Sequence, residues 1–434
     1  MFRRSRQAHH DQVLQRAQYS NRGVACHWLW AALIGLAVLP PACRSKAPVP
    51  PEPEPEPQQF ANVQYEWDTW EVTDGPRSNF SQLLELGSSD LAAGHIGLFL
   101  GGDWDGLALL HLSWGPGRAW RVNTLREQCE LEDYFSATTH GDTLYAAYAP
   151  GALFFQTASA GGTEWSDPVQ ITEHYSCNSS LAIDAQGVPC VAYCFYANQL
   201  GFVRAADPSG TAWREPVSVR EGYVYANPTL LILAGGTPAI VYYHTSDQAM
   251  YFITALDNFG LEWYEPILLD SGDTGVGVVG GRTAVVWIDN LPALAYAFNN
   301  GSLRYTRALD WQHTQWSTPI TIAHLGNPTL HARPAMVLFN GRPVVCFENN
   351  GVRLVQALDR YGDDWSEPQL VIDNGGGCLS MLAHGRRLYV SYLKNVTQYI
   401  DRQWCLACGW EPGNEPYWLN TGTPAGGTTT QPPQ

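Results

Sequence analysis

The phrase SGTAWREPVSV (209–219) recurs along this chain at a nearly constant spacing. Its closest copies are GGTEWSDPVQI (161–171), FGLEWYEPILL (259–269), QHTQWSTPITI (312–322) and YGDDWSEPQLV (361–371). With two weaker copies, the tryptophans of the series are Trp70, Trp120, Trp165, Trp213, Trp263, Trp316 and Trp365. A period of about fifty residues is typical of circular or stacked repeats, and it predicts a propeller or a solenoid.

The stretches between the tryptophans repeat as well. Each has a polar or glycine-containing turn followed by a short β-prone run, as in DAQGVPCVAY (184–193), LAGGTPAIVY (233–242) and LFNGRPVVCF (338–347). Seven such units can be traced, with AAGHIGLFL (92–100) as the divergent first member. Each unit has room for four strands, which is the blade of a β-propeller. The sequence therefore predicts an all-β fold, a seven-bladed propeller of four-stranded antiparallel blades, with six blades as the alternative.

The first tryptophan segment has no complete unit ahead of it. We predict that the strand around Trp70 pairs beside the last unit (378–402) and closes the ring, since closure by both termini removes open sheet edges. Trp404 is a rival for this closing position.

The residues around the tryptophans resemble the Asp-box, or BNR repeat, of the sialidase-like propellers, which reads Ser/Thr-x-Asp-x-Gly-x-x-Trp. Asp207, Gly210 and Trp213 match that pattern with one extra residue between aspartate and glycine, and His313 stands where a glycine is expected in another copy. The resemblance covers roughly residues 63–404. It implies a propeller in which the motif is a structural turn: aspartate caps it, glycine takes a positive φ, and tryptophan covers the seam between blades.

The N-terminal region has the composition of an export signal. Arginines precede the apolar run WLWAALIGLAVL (28–39), which is short for a stable transmembrane span. Pro40-Pro41-Ala42-Cys43 then resembles a bacterial lipoprotein cleavage site, with Cys43 as the lipid attachment residue. A plain cleaved signal and an uncleaved anchor are the alternatives. We expect a bacterial cell-envelope lipoprotein, or else a secreted protein.

Composition then sets the domain boundaries. We predict a signal segment over residues 1–43 and a Pro/Glu-rich linker over residues 44–62. The propeller is predicted over residues 63–404, and a partly disordered tail over residues 405–434.

The charge balance limits the partners. The formal net charge is −16, and the region after residue 43 holds 20 basic and 40 acidic residues. Nucleic-acid binding depends on neutralising phosphates, so this balance argues against it. We expect a glycan or a protein at the cell surface as the partner, membrane contact through the lipid anchor only, and no cofactor.

Ten cysteines are consistent with export. Cys129 and Cys177 lie at comparable places in adjacent units and are a candidate disulfide pair, while Cys190 and Cys194 fall on one predicted strand. The pair in Cys405-Leu-Ala-Cys408 has no histidine or second cysteine pair nearby, so no metal site is predicted.

The mouth of the central channel, where the innermost strands begin, is the expected binding site. Counting back from the second strand of each unit places Arg282, Arg333 and Tyr134 at equivalent positions, with Asn178 and Asn227 one residue earlier in their units. A guanidinium group binds a carboxylate bidentately, so we predict that these five residues bind a ligand, most readily an acidic sugar. The alternative is that each arginine pairs with a neighbouring aspartate or carbonyl and that the asparagines only form turns.

Catalysis is the second hypothesis. The sialidase-like family carries an arginine triad and a Phe/Tyr-Arg-Ile/Leu-Pro motif in its first blade, but SSDLAAGHIG (88–97) has no arginine, so sialidase activity does not carry over. Glu348, Asp133 and Asp247 are the candidates for an acid and base of a glycosidase or polysaccharide lyase. The sequence favours a non-catalytic binding protein over this enzyme.

Overall fold

The structure is a computed structural model. It describes residues 59–71, 80–85, 96–102, 106–112, 120–126, 135–149, 151–159, 164–195, 199–220, 228–271, 283–298, 301–325, 334–373, 375–394 and 403–414. Every helix or strand assigned within these ranges is a β-strand. Over the same ranges, no helix is long and apolar enough to cross a membrane.

The strands are short and follow the apolar runs of the repeats. In chain order they are β1 Glu66–Glu71, β2 Phe80–Glu85, β3 Ile96–Gly102, β4 Gly106–Leu112, β5 Trp120–Arg126, β6 Phe135–His140, β7 Thr143–Tyr148, β8 Phe154–Ser159, β9 Val169–Gln170, β10 Ser176–Ile183, β11 Pro189–Phe195, β12 Gln199–Arg204, β13 Val217–Arg220, β14 Thr229–Ile232, β15 Pro238–His244, β16 Ala249–Thr254, β17 Ile267–Ser271, β18 Ala284–Ile288, β19 Leu291–Ala297, β20 Ser302–Arg307, β21 Ile320–His324, β22 Ala335–Phe339, β23 Arg342–Glu348, β24 Val352–Gln356, β25 Gln369–Ile372, β26 Gly375–His384, β27 Arg387–Lys394 and β28 Gln403–Trp410.

These strands pair into seven four-stranded antiparallel sheets. Blades 1 to 6 each use four consecutive strands: β2–β5, β6–β9, β10–β13, β14–β17, β18–β21 and β22–β25. Blade 7 consists of β26, β27, β28 and β1. The predicted all-β propeller is confirmed, and each sheet corresponds to one of the seven sequence units.

Both ends of the described chain contribute to blade 7. Strand β1 pairs with β28, which places Trp70 opposite Leu406, so the predicted closure by the Trp70 segment is confirmed. Trp404 lies on β28, one strand further in. Strand β28 continues to Trp410, and its side chains from Trp404 onward are buried, so the propeller extends past the predicted boundary at residue 404. The apolar run CLACGW (405–410) is therefore part of the core and not of a tail.

The propeller also begins earlier than predicted. Phe60 N donates to Leu358 O at 2.6 Å, and Arg342 Nη1 donates to Ala61 O at 2.6 Å. Gln356 Nε2 also donates to Asn62 Oδ1 at 2.8 Å. The last residues of the predicted linker (44–62) are thus bound to blade 6 through the backbone of Phe60 and Ala61 and the side chain of Asn62, which composition alone does not reveal.

One inter-blade hydrogen bond recurs on the innermost strands. Ser136 Oγ of blade 2 accepts from Leu181 N of blade 3 at 3.1 Å, and Ser180 Oγ of blade 3 accepts from Leu230 N of blade 4 at 3.0 Å. The two serines occupy the same register against their second strands, opposite alanines. A short polar side chain at this level therefore joins blade 2 to blade 3 and blade 3 to blade 4.

The same contact closes the ring. In blade 1 a glutamine takes the place of serine: Gln82 Nε2 donates to Ala137 O at 2.7 Å, and its Oε1 accepts from Ala137 N at 3.0 Å. Between the last blade and the first, Leu83 N donates to Ser380 Oγ at 2.9 Å.

The tryptophan motif forms the outer part of four seams within the described residues. Trp213 Nε1 donates to Gly210 O at 2.9 Å, and its ring packs edge-on against Phe155 of the preceding blade at 5.1 Å between centroids. The corresponding pairs are Trp263 with Phe202, Trp316 with Phe252 and Trp365 with Tyr305. The motif thus acts as an inter-blade turn, and burial of these aromatic rings stabilises the seams.

Candidate functional site

The antiparallel pairing defines two ends of the ring. In each blade the first and third strands begin, and the second ends, at the same end of the sheet. We call this the mouth end. The tryptophan motifs follow the third strands and lie at the opposite end, which we call the box end. The side chains predicted to bind or to catalyse belong at the mouth end.

Asn178 lies at the mouth end of β10, within a break in the register between Cys177 and Ser180. Its φ is +51°, and the equivalent residue in blade 7, Gly377, has a φ of +66° beside a similar break. Asparagine tolerates this left-handed conformation better than most residues. The left-handed backbone is therefore sufficient to account for an asparagine at position 178, without a role in ligand binding. This agrees with the alternative that the asparagines only form turns.

Glu348 ends β23 and contacts the start of the next blade. Its Oε2 atom accepts a hydrogen bond from Gly377 N at 2.6 Å. A β-carbon on Gly376 would lie 2.5 Å from Glu348 Cδ, so a glycine is needed there for the carboxylate to approach. The Glu348 carboxylate thus connects blades 6 and 7 and is only partly exposed.

Asp247 lies in the turn after β15, within a small polar and aromatic group. His244 Nδ1 lies 2.9 Å from Asp247 Oδ2, and the Tyr251 hydroxyl donates to the same oxygen at 3.0 Å. The Tyr251 ring stacks on Tyr242 at 5.7 Å with 22° between the planes. Burial and the Asp247 carboxylate raise the pKa of Tyr251, which keeps its hydroxyl protonated as a donor. The Asp247 side chain remains half exposed.

The two described acids lie on different blades. Asp247 belongs to blade 4 and Glu348 to blade 6, and each is held by its own contacts. Glycosidases place two carboxylates about 5–10 Å apart on either side of the scissile bond. Asp133, the third candidate, lies outside the described residues.

A buried ionic group between blades 4 and 5 was not anticipated. Arg304 Nη1 lies 2.7 Å from Asp270 Oδ1, and the Tyr296 hydroxyl donates to Asp270 Oδ2 at 2.8 Å. The Arg304 guanidinium also lies 4.2 Å from the Phe298 ring centroid. The Arg304 guanidinium is thus paired with a buried carboxylate of the neighbouring blade. The sequence does not reveal this group, because Asp270 and Arg304 lie on different blades and meet only where the two blades pack together.

Most of the predicted binding residues fall outside the described ranges. They are Arg282, Arg333, Tyr134 and Asn227, together with Cys43 and Cys129. Cys177 is described as a free cysteine whose register partner is Cys194, and its pairing with Cys129, which lies outside the described residues, stays a prediction. Cys190 and Cys194 both lie on β11, as expected. Within the described ranges, no group of three or more His, Cys, Asp or Glu residues is placed to hold a metal ion.

Comparison with known proteins adds support for the fold alone. No family model and no curated protein matches this sequence. The WD40 repeats of RRP9 align with a TM-score of 0.51 at 12% identity, covering 82% of this chain and 100% of that one. U3-55K aligns with a TM-score of 0.51 at 12% identity, covering 78% and 98%. The NanB sialidase from Streptococcus pneumoniae gives 0.43 at 10% identity, covering 82% and 71%. The chain is thus a β-propeller protein, and its ligand has to be inferred from its own residues.

Proposed function

We propose that this propeller is a non-catalytic binding protein that takes an acidic carbohydrate at its mouth end. The observation that favours binding over catalysis is the position of Glu348. Its carboxylate accepts the Gly377 amide and is packed against the backbone of Gly376, so it is used to join two blades. A general acid or base needs a carboxyl group that can reach the substrate, and this one is engaged within the protein.

The group around Asp247 supports a carbohydrate as the ligand class. Sugar sites combine aromatic rings with a few well-placed polar groups that bind hydroxyls. Tyr251, His244 and Asp247 provide that combination on blade 4, and the contacts with Tyr242 and Asp247 fix the orientation of Tyr251.

The acidic character of the ligand is inferred from the two arginines. Arg282 and Arg333 have the same register on neighbouring sequence units, in a chain with a formal net charge of −16. The acidic surface repels anions in general, so a local positive site on it selects an anionic ligand that fits the geometry of the site. Arg304 is an example of the alternative arrangement, in which an arginine forms an ion pair with a carboxylate of the protein itself.

We also propose that the protein is anchored at a bacterial cell envelope. The segment ending at Cys43 and the Pro/Glu-rich linker would hold the propeller at a bacterial cell envelope. Labelled fatty acid should be incorporated when the full chain is expressed in bacteria, and a Cys43→Ser variant should lose the label. Equal labelling of the two proteins would exclude Cys43 as the attachment residue.

Binding and catalysis are separated by one screen. The full chain is applied to an array of uronic-acid, sialic-acid and neutral oligosaccharides, and each oligosaccharide that binds is then incubated with the protein and analysed for products. We expect retention of acidic oligosaccharides without cleavage or elimination. Product formation that is lost in Glu348→Gln would instead support the enzyme alternative, and the absence of any bound glycan would favour a protein partner.

A further inference from the structure

Two cysteines face each other at the mouth end of blade 3. Cys177, near the start of β10, is the register partner of Cys194, near the end of β11. Directly opposed residues of antiparallel strands have Cα atoms about 4.5–5.5 Å apart. Disulfides span Cα separations of about 4.4–6.8 Å. The pairing therefore places these two residues within the range of Cα separations that disulfides span.

The two thiols differ in accessibility. Cys194 is buried, with 1% of its surface exposed, whereas Cys177 is only partly buried. A reagent from solution therefore reaches Cys177 first, while Cys194 lies behind it, within reach of any bond that Cys177 forms. This is the arrangement of an attacking and a resolving cysteine.

The surroundings also favour reaction at Cys177. A hydrogen bond from Cys194 lowers the pKa of the Cys177 thiol, although burial acts in the opposite direction. Burial raises the pKa of Cys190 to about 12 and raises the pKa of Cys346 as well. Since the thiolate is the reactive form, Cys190 and Cys346 are protected from exchange and Cys177 is not.

We propose that Cys177 and Cys194 form a redox-active pair that closes to a cross-strand disulfide, with Cys177 reacting first. The oxidant is a disulfide of the glutathione or protein-disulfide class. The Cys177 thiolate attacks one sulfur of that disulfide, forms a mixed disulfide and releases one thiolate. The Cys194 thiolate then attacks Cys177 Sγ and releases the second. The pair loses two protons and two electrons, and the oxidant becomes two thiols.

The position of the pair gives the reaction a structural consequence. The register of β10 against β11 breaks between Cys177 and Ser180, so the first residues of β10 are held less regularly than the rest. Asn178 occupies that break with a φ of +51°. Its side-chain Nδ2 also lies 3.9 Å from Cys177 Sγ. A disulfide would fix the start of β10 to β11 and with it the candidate ligand residue Asn178.

The test is to map the disulfides of the full chain after equilibration with oxidised glutathione and alkylation of the remaining thiols. A protease that cleaves before aspartate cuts at Asp167, Asp184 and Asp207, which separates Cys177 from Cys194 and leaves Cys129 on another fragment. We expect fragments 167–183 and 184–206 joined by a bond that dithiothreitol breaks. Recovery of both fragments alkylated, or of Cys177 joined to Cys129, would overturn the proposal.

Because Cys190 shares a fragment with Cys194, a matched variant identifies the linked residue. Cys190→Ser should retain the linked fragments, and Cys194→Ser should lose them. Loss in Cys190→Ser with retention in Cys194→Ser would assign the bond to Cys190 and contradict the proposed pair. The wild-type map tests the pairing even if a variant does not fold.

Discussion

The amide of Leu83 donates a hydrogen bond to Ser380 Oγ across 2.9 Å, and this bond joins the first blade to the last. The two residues are 297 positions apart in the chain. The bond repeats the contact that Ser136 makes with Leu181 and Ser180 with Leu230 inside the ring. Closure therefore uses the same inner-strand contact as the seams between blades 2 and 3 and between blades 3 and 4, in addition to the pairing of β1 with β28.

Replacing Ser380 with alanine should weaken the closure. The change leaves the amide of Leu83 without this partner, and a buried amide that loses its hydrogen bond costs about 1–3 kcal/mol. The free energy of unfolding in urea measures the effect. Ser218→Ala, at an exposed position on β13, is the matched control and should change stability by no more than about 0.5 kcal/mol. Equal effects of the two variants would show that the bond to Ser380 contributes nothing.

The seam tryptophans should be structural. Trp213→Ala and Trp263→Ala remove the contacts with Phe155 and Phe202, and each should cost about 3–5 kcal/mol through lost burial and a cavity. Trp311, which is 75% exposed at the box end, serves as the control, and Trp311→Ala should leave the melting temperature nearly unchanged. Loss of ligand binding in either seam variant without a change in melting temperature would contradict the assignment of the box end as structural.

A comparison of glycines separates backbone strain from packing in the motif. Gly362 has a φ of +77°, and a β-carbon there would lie 2.7 Å from Tyr305 Cζ. Gly141 has a φ of +57° but nothing within 4 Å of such a β-carbon. Both alanine variants should lose about 1–2 kcal/mol from the left-handed backbone, and Gly362→Ala should lose more because the aromatic ring must move. Thermal unfolding tests this, and equal losses would show that the close approach to Tyr305 is not required.

His313 should make the propeller sensitive to acid. It stands where other copies have glycine, has a φ of +59° and is buried against Phe252. Burial lowers the pKa of His313 from its ordinary value of 6.5, although Asp310 opposes the shift. Below pH 6.5 the His313 side chain is protonated more readily in the unfolded chain than in the folded protein. The free energy of unfolding therefore has its full value above pH 6.5 and decreases as the pH falls through the lowered pKa of the folded state.

The measurement is the free energy of unfolding between neutral and mildly acidic pH. His313→Asn keeps a residue that tolerates positive φ and should reduce the loss of stability below pH 6.5. His384→Asn is the control, since His384 is exposed and lies beside Glu85, and it should not reduce that loss. A pH dependence that is the same in wild type and His313→Asn would refute the role of His313.

The sequence predicted the parts of the fold that repeat. Tryptophans near a fifty-residue period gave the blade, and the unmatched Trp70 segment gave the closing strand, because both depend on local apolar patterns. The bond from Leu83 to Ser380 was not predictable, since a serine on a strand has no pattern that identifies its partner. The contact of Arg342 with Ala61 was missed for the same reason, because it uses a backbone carbonyl beyond a Pro/Glu-rich stretch.

The candidate site was predicted less completely. Asn178 and Glu348 lie at the mouth end as expected, but their contacts depend on the left-handed backbone at Asn178 and on the close approach of Gly376, neither of which a residue type reveals. The positions of Arg282 and Arg333 were inferred only by counting residues back from the second strand of each unit. Both lie in segments that do not repeat, so no sequence pattern supports the count there.

Calorimetric titration tests the proposed acidic-sugar site at the mouth most directly. Uronic-acid and sialic-acid oligosaccharides are titrated into wild type, Arg282→Ala, Arg333→Ala and Arg333→Lys. Loss of one charged hydrogen-bonding group should cost about 1.5–3 kcal/mol of binding free energy. Arg333→Lys should weaken binding nearly as much as Arg333→Ala, because lysine keeps the charge but not the bidentate geometry. Weaker binding in all three variants, with unchanged melting temperatures, is the predicted result. Unchanged affinity in both alanine variants would contradict the site.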